Sequence, residues 1–184
     1  LLYHIAEEKS YRLSEIYGGS KDNVIAMEAH ASLVAAPEDT EQILAMIRNM
    51  EDVWNAEFMG EEPGLTVKTE TEKNADTVVF SKDTTQKVVG YLKASPNGLK
   101  EYSRKVAGAT ETSLNLGILE LKEDALTSLT SIRSSVKTRK EDLCARVTML
   151  VEMLGGEAEV EGDYPAWEYR TDSALRPQVE KVYE

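Results

Sequence analysis

Between Glu111 and Val136, polar and apolar side chains alternate with a period of two, in two runs separated by the acidic turn Lys122-Glu123-Asp124. The pattern predicts a β-hairpin closed by that three-residue loop. With Leu121 opposite Ala125, the ladder runs back through Gly117–Leu129, Asn115–Ser131 and Ser113–Arg133. Alternation across each strand gathers Ser113, Asn115, Ser131 and Arg133 on one face. Leu114, Leu116, Ile118, Leu126 and Ile132 take the other. A slip of one residue would scramble this sorting. The hairpin therefore reads as a floor with an apolar underside and a polar, arginine-bearing upper face.

The same periodicities place the other elements. Arg12 to Ser20 reads as a strand closed by Gly18-Gly19, and Val24 to Ala36 as an amphipathic strand. Ile25, Met27, Ala29, Ala31, Leu33 and Ala35 line one face of the second strand, and Glu28, His30 and Ser32 the other. Pro37, Glu38 and Asp39 suit the start of a helix carrying Ile43, Ile47, Met50, Trp54 and Phe58. Strands are expected at Leu65 to Thr71 and Thr77 to Phe80. Ser81 then caps a helix with Val88, Val89 and Leu92 on its stripe, and Ser95-Pro96-Asn97-Gly98 breaks it. Leu99, Tyr102 and Val106 predict further helical turns. After the hairpin, Leu143, Val147, Leu150 and Leu154 mark a helix from Thr138 to Leu154, Gly155-Gly156 stops it, and Glu157 to Glu161 alternates as a strand. Helical patterns also open the chain, in LLYHIAEEKSY, and close it, with Leu175, Val179 and Val182 following a cap at Asp172 or Ser173. Both stop mid-pattern, so the expectation is a segment excised from a longer chain.

The two halves share an order of strand, strand, acidic-started helix and strand. The expected fold class is α+β: a mainly antiparallel sheet with helices on one face, built from duplicated strand–strand–helix–strand units. The first unit would span about 11–72 and the second about 111–162, with a helical insertion at about 81–106 between them.

Composition narrows the function classes. A 41% hydrophobic and 29% charged chain of 184 residues is long enough for a core of its own. The net charge of -12 argues against nucleic acid as a partner, because phosphate binding needs clustered Lys and Arg. No apolar run is long enough to predict a membrane span. The single Cys144 allows no intrachain disulfide and suits a reducing cytoplasm.

Most chemistry-bearing residues read as structural. Glu28 and His30 share a strand face, but no third ligand of suitable type lies nearby, so the pair reads as a solvated face. His4 with Glu7 and Glu8 reads likewise. Cys144 has no histidine close in sequence to activate it and reads as a packed thiol. Trp54 reads as core, and Trp167 as core, clasp or interface anchor. Arg133 differs. Its fork can grip a carboxylate beside Ser113, Asn115 and Ser131, or pair with one of the chain's 33 acidic residues, and spacing leaves the two readings balanced.

GGSKDNVIAMEA, ASPNGL, ETSLNLGILEL, IRSSV and YPAWEYRTDSAL occur in this order along essentially the whole chain. With them the sequence resembles the Xaa-His dipeptidases. These are bacterial aminoacyl-histidine dipeptidases of the superfamily of zinc aminopeptidases, carboxypeptidases and aminoacylases. The resemblance maps to the lid or dimerisation domain inserted into the catalytic domain. The histidine- and aspartate-bearing motifs that hold the family's two zinc ions and general base do not occur here, and the lid's Gly-Gly-His-Ser segment would fall upstream of Leu1.

The resemblance thus implies a lid whose partners are the catalytic domain of the same chain, a second copy and a dipeptide substrate. The parent would be cytoplasmic, and the lid alone inactive and free of catalytic or metal-ligating residues. Two substrate-binding residues carry over. Asn23-Val24-Ile25-Ala26-Met27-Glu28 matches a family segment Asn-Ala-Ile-Pro-Arg-Glu, which makes Asn23 the asparagine that helps hold substrate. Arg133 matches the arginine that grips the dipeptide's C-terminal carboxylate. Ala26 and Met27 depart from the pattern. The alternative is a free-standing small-molecule-binding or regulatory α+β domain.

Overall fold

The structure, a computed structural model, describes residues 1–58, 64–73, 76–122, 125–166, 168–170 and 172–183, with the side chains of 121 and 122 excepted. The fold is α+β, with antiparallel strand pairing, and its chain is divided between two compact units. The first comprises 1–18, 28–94 and 120–126; the second comprises 19–27, 95–119 and 127–184.

In the first unit, β1 (Tyr11–Gly18) pairs antiparallel with β2 (Ala29–Ala35), from Tyr11↔Ala35 to Gly18↔Ala29. The buried positions of β1 are Tyr11, Leu13 and Ile16, a change from odd to even that strict alternation forbids. A register shift between Leu13 and Glu15 resolves this, because one extra residue turns the strand over and keeps the apolar side chains inward. Leu13 is 0% exposed, and its backbone reaches away from β2. Its N–H donates to Thr85 Oγ1 at 3.2 Å, and its carbonyl accepts the Phe80 N–H at 2.7 Å. Thr85 lies on α3 (Lys82–Ala94), whose start is capped as its sequence predicts, the Ser81 hydroxyl accepting the Thr84 N–H at 3.0 Å. Val88, Val89 and Tyr91 of α3 are buried, as are Ile43 and Ile47 of α2 (Thr40–Glu57). Ile5 of α1 (Leu2–Glu8) is buried too. The Pro37–Asp39 turn that leads into α2 is tied by Lys9 Nζ to Asp39 at 2.7 Å.

Tyr11 gives this unit a pH dependence. Its hydroxyl donates to the Leu2 carbonyl at 2.8 Å, and burial pushes its pKa up to about 12. An unfolded tyrosine loses its proton near pH 10. The stabilisation is therefore complete below about pH 10 and is lost as the pH rises through about 12. Tyr11→Phe is expected to cost about 1 kcal/mol at pH 8. The gap to the parent should narrow by pH 11, as read by urea denaturation at the two pH values.

In the second unit, β3 (Gly98–Tyr102) pairs antiparallel with β4 (Thr110–Lys122), from Gly98↔Leu114 to Tyr102↔Thr110. β5 (Ala125–Ser134) pairs with β4 as well, and α4 (Lys137–Met153) follows. The far end of the β4–β5 hairpin, 120–126, belongs to the first unit. Arg139 at the start of α4 forms ion pairs with Glu101 of β3 and, at 3.3 Å, with Glu111 of β4. Thr112, Leu114, Leu119 and Leu143 are buried here. The unit closes with α5 (Arg176–Tyr183), in which Pro177 stands second, where its missing N–H has no intrahelical partner to lose.

Several expected elements differ. The strand–strand–helix order appears in both halves, as β1–β2–α2 and β4–β5–α4. The strands expected to complete each half, at Leu65 to Thr71 and Glu157 to Glu161, belong to no ladder, nor does Thr77 to Phe80. Alternation alone cannot make a strand where no neighbouring backbone takes its hydrogen bonds. Val67 N–H goes instead to Glu51 Oε1 at 2.8 Å, and Phe80 spends one bond on Leu13. Leu99 to Tyr102, expected to be helical, is β3, and only α3 remains helical in the stretch 81–106. The open edge of β4 offered a ladder that the three-residue spacing of Leu99 and Tyr102 could not reveal. The strand expected from Val24 starts only at Ala29, which leaves Ile25 and Met27 80% and 93% exposed. β4 runs one residue beyond its expected end, to Lys122, and β5 starts at Ala125 as expected; residues 123 and 124 lie outside the described residues.

Candidate functional site

The register of the β4–β5 hairpin is set at its open end. There the Thr112 and Ser134 hydroxyls bond at 2.9 Å, and Ser135 N–H donates to the Glu111 carbonyl at 3.0 Å. These contacts match the register expected from the side-chain pattern. Carried along the hairpin without a bulge, that register sets Ser113 opposite Arg133 and Asn115 opposite Ser131. Ser113, Asn115 and Gly117 then alternate onto one face.

A segment of chain lies directly on that face. Residues 19–27 belong to no strand or helix, yet they come down onto β4 at Gly117. A Cβ at Gly117 would stand 2.5 Å from the Lys21 carbonyl oxygen and 2.6 Å from that of Asp22. Gly19 faces the Gly117 carbonyl just as closely, at a φ of +73° that favours glycine. Next to this contact, Asn115 Nδ2 donates to the Asp22 carbonyl at 3.3 Å and the Val24 carbonyl at 2.8 Å. The carbonyls before and after Asn23 are thus held by one carboxamide.

Asn23 is exposed above this anchor. Arg133 is exposed too, and among the described residues no hydrogen bond or ion pair engages its guanidinium. In the hairpin register it stands two residues along from Ser131, an offset of roughly 7 Å along the strand. Asn23 thus lies on the segment anchored to β4 at Asn115 and Gly117, and Arg133 lies on β5, the strand paired with β4. A carboxamide and a guanidinium placed on one surface can together bind a small ligand that bears a carboxylate. The anchors Asn115 and Gly117 carried no assigned role in the sequence reading. Their alternate placement in Ser113-Leu114-Asn115-Leu116-Gly117 was the available signal.

The other singled-out residues lie elsewhere. His30 stacks on Tyr17 with ring centroids 4.6 Å apart, and its Nε2 is 3.9 Å from Glu28. His4 pairs with Glu7 at 3.3 Å on an exposed helix face. Cys144 is half-buried; burial raises its thiol pKa, and the nearby Asp163 raises it further. Trp54 is half-buried, and Trp167 lies outside the described residues.

The fold has a solved counterpart. The structure matches that of an aminoacylhistidine dipeptidase from Vibrio alginolyticus with a TM-score of 0.88 and 28% identity, over 100% of this chain and 39% of the other. A cytosol non-specific dipeptidase of Escherichia coli (strain K12) is 26% identical over 181 residues, covering 97% of this chain and 37% of the relative. The chain is homologous to part of these dipeptidases. It spans well under half the length of either, so their common segment is a portion of a peptidase. No family model matches the chain. The described residues contain no group of three or more His, Cys, Asp or Glu side chains placed to hold a metal, and no helix among them is long and apolar enough to cross a membrane.

Proposed function

We propose that this chain is the lid and dimerisation domain of a cytoplasmic metal-dependent dipeptidase that hydrolyses Xaa-His-type dipeptides. The observation that carries the reading is the whole-chain structural likeness, with a TM-score of 0.88, to a portion of an aminoacylhistidine dipeptidase. The full-length protein would include a catalytic domain as the lid's partner, and the lid would also serve the contact between two copies. The described side chains do not fit a zinc site, so the pair of zinc ions implied for such an enzyme would be held outside them.

In this reading the lid contributes binding and orientation. Arg133 takes the C-terminal carboxylate of the dipeptide in a two-point grip, which its guanidinium, unpaired among the described residues, can do without first breaking an internal pair there. Asn23 adds a carboxamide that donates to or accepts from the substrate backbone. Two contacts on one rigid face fix the orientation of the peptide, and closure over a catalytic domain excludes water.

The test compares the full-length protein with the 184-residue chain in hydrolysis of an Xaa-His dipeptide after zinc loading. Hydrolysis by the full-length protein alone is expected, with a dimer seen by sedimentation. Activity in the isolated chain, or none in the zinc-loaded full-length protein, would sink the reading.

A further inference from the structure

We propose that Asn115 is a positioning residue that sets the place of Asn23 on the hairpin face. The inference rests on the reading of Asn23 as a substrate contact and adds the device that holds it there.

The segment 19–27 has little structure of its own. Among the described residues its internal support is one long turn bond, Val24 N–H to the Lys21 carbonyl at 3.5 Å, and no ladder pairs it. What locates it is external. The glycine contact at Gly117 sets its height above β4, and the two hydrogen bonds from Asn115 set its position along the strand. The bonds go to residues 22 and 24, so they bracket Asn23 and constrain the backbone dihedrals on both sides of it, while its side chain stays exposed.

The residue type fits the task. A carboxamide nitrogen carries two hydrogens about 120° apart and can serve two carbonyls at once. An aspartate of the same shape has no donor when ionised and would repel both carbonyl oxygens. A serine offers a single donor on a shorter arm. Asn115 also sits on β4, which is hydrogen-bonded to β3 and β5, so the anchor is a rigid element. Since Arg133 stands on the neighbouring strand, the same anchor would fix the spacing between the two proposed substrate contacts.

Two measurements on the full-length protein test this. The first is trypsin cleavage after Lys21, the basic residue inside the anchored segment. Asn115→Asp should accelerate cleavage at that bond about tenfold or more, without a comparable rise at other sites. Unchanged cleavage overturns the proposal, and Asn115→Ala provides a second variant if the aspartate destabilises the fold. The second is a double-mutant cycle on dipeptide hydrolysis. Asn115→Asp should lower kcat/KM about ten- to a hundredfold in the parent. On an Asn23→Ala background it should do so less than about twofold, because its effect passes through Asn23. Equal losses on both backgrounds would overturn the proposal. Faster cleavage at Lys21 together with a kinetically silent Asn23→Ala would uphold the positioning and overturn the reading of Asn23 as a substrate contact.

Discussion

Arg133→Ala in the full-length protein is expected to lower kcat/KM for a dipeptide by about a hundredfold to a thousandfold, with most of the loss in KM. The size follows from the proposed two-point grip. A hydrogen bond to a charged group contributes roughly 1.5–3 kcal/mol, two of them act together, and 1.4 kcal/mol is tenfold. The division follows from position. The C-terminal carboxylate does not react, so its grip serves ground state and transition state alike and appears mainly in KM. Folding should be almost untouched, since the side chain is exposed and has no partner among the described residues. A change within about 0.5 kcal/mol is expected. Arg133→Lys keeps the charge but loses the fork, and should recover only part of the activity. A dipeptide amide supplies the decisive control. It should be a poor substrate for the parent protein and no worse for Arg133→Ala than for the parent. Unchanged kcat/KM in Arg133→Ala would return this residue to the role of a solvated sheet-face cation.

The legible parts of the fold were those governed by local chemistry. Ser81 before Thr84, Pro37 ahead of an acidic turn, and the stripe Leu143, Val147, Leu150 all act within about two helical turns, and their helices formed where expected. The hairpin was legible because the alternation from Glu111 to Val136 leaves one register that sorts the side chains. The failures share the opposite character. Whether Leu65 to Thr71 becomes a ladder depends on a neighbour distant in sequence, and so does whether Leu99 to Tyr102 is helix or edge strand. The bulge after Leu13 exists because Thr85 and Phe80 claim that residue's backbone from about seventy positions away. At the candidate site, Arg133 was visible as a residue type in a strand pattern, and Asn23 only through the family resemblance. The glycine contact that brings 19–27 onto β4 was not, because a glycine's role is read from what would collide with a side chain there.

That contact also defines the substitution expected to couple stability and function most strongly. In Gly117→Ala, the new methyl would meet the Lys21 and Asp22 carbonyl oxygens at 2.5 and 2.6 Å and the Asp22 Cα at 2.7 Å. All three are backbone atoms, so no side chain can swing aside, and either the segment lifts or β4 bends. Overpacking of this kind costs about 1–3 kcal/mol. Lifting would also stretch the Asn115 bonds, shortest at 2.8 Å to Val24, and displace Asn23. A displacement of about 1 Å at a positioning group can cost about a hundredfold in rate. Gly90→Ala provides the contrast, since that glycine is inside α3 and a Cβ there would meet nothing within 4 Å. It should stabilise the protein by about 0.4–1 kcal/mol through helix propensity and a less flexible unfolded chain. Urea denaturation and steady-state kinetics on the two variants should therefore diverge in sign for stability, and only Gly117→Ala should lose activity. A Gly117→Ala protein with parental stability and parental kcat/KM would mean that 19–27 does not rest on β4 and that Asn23 is held by other means.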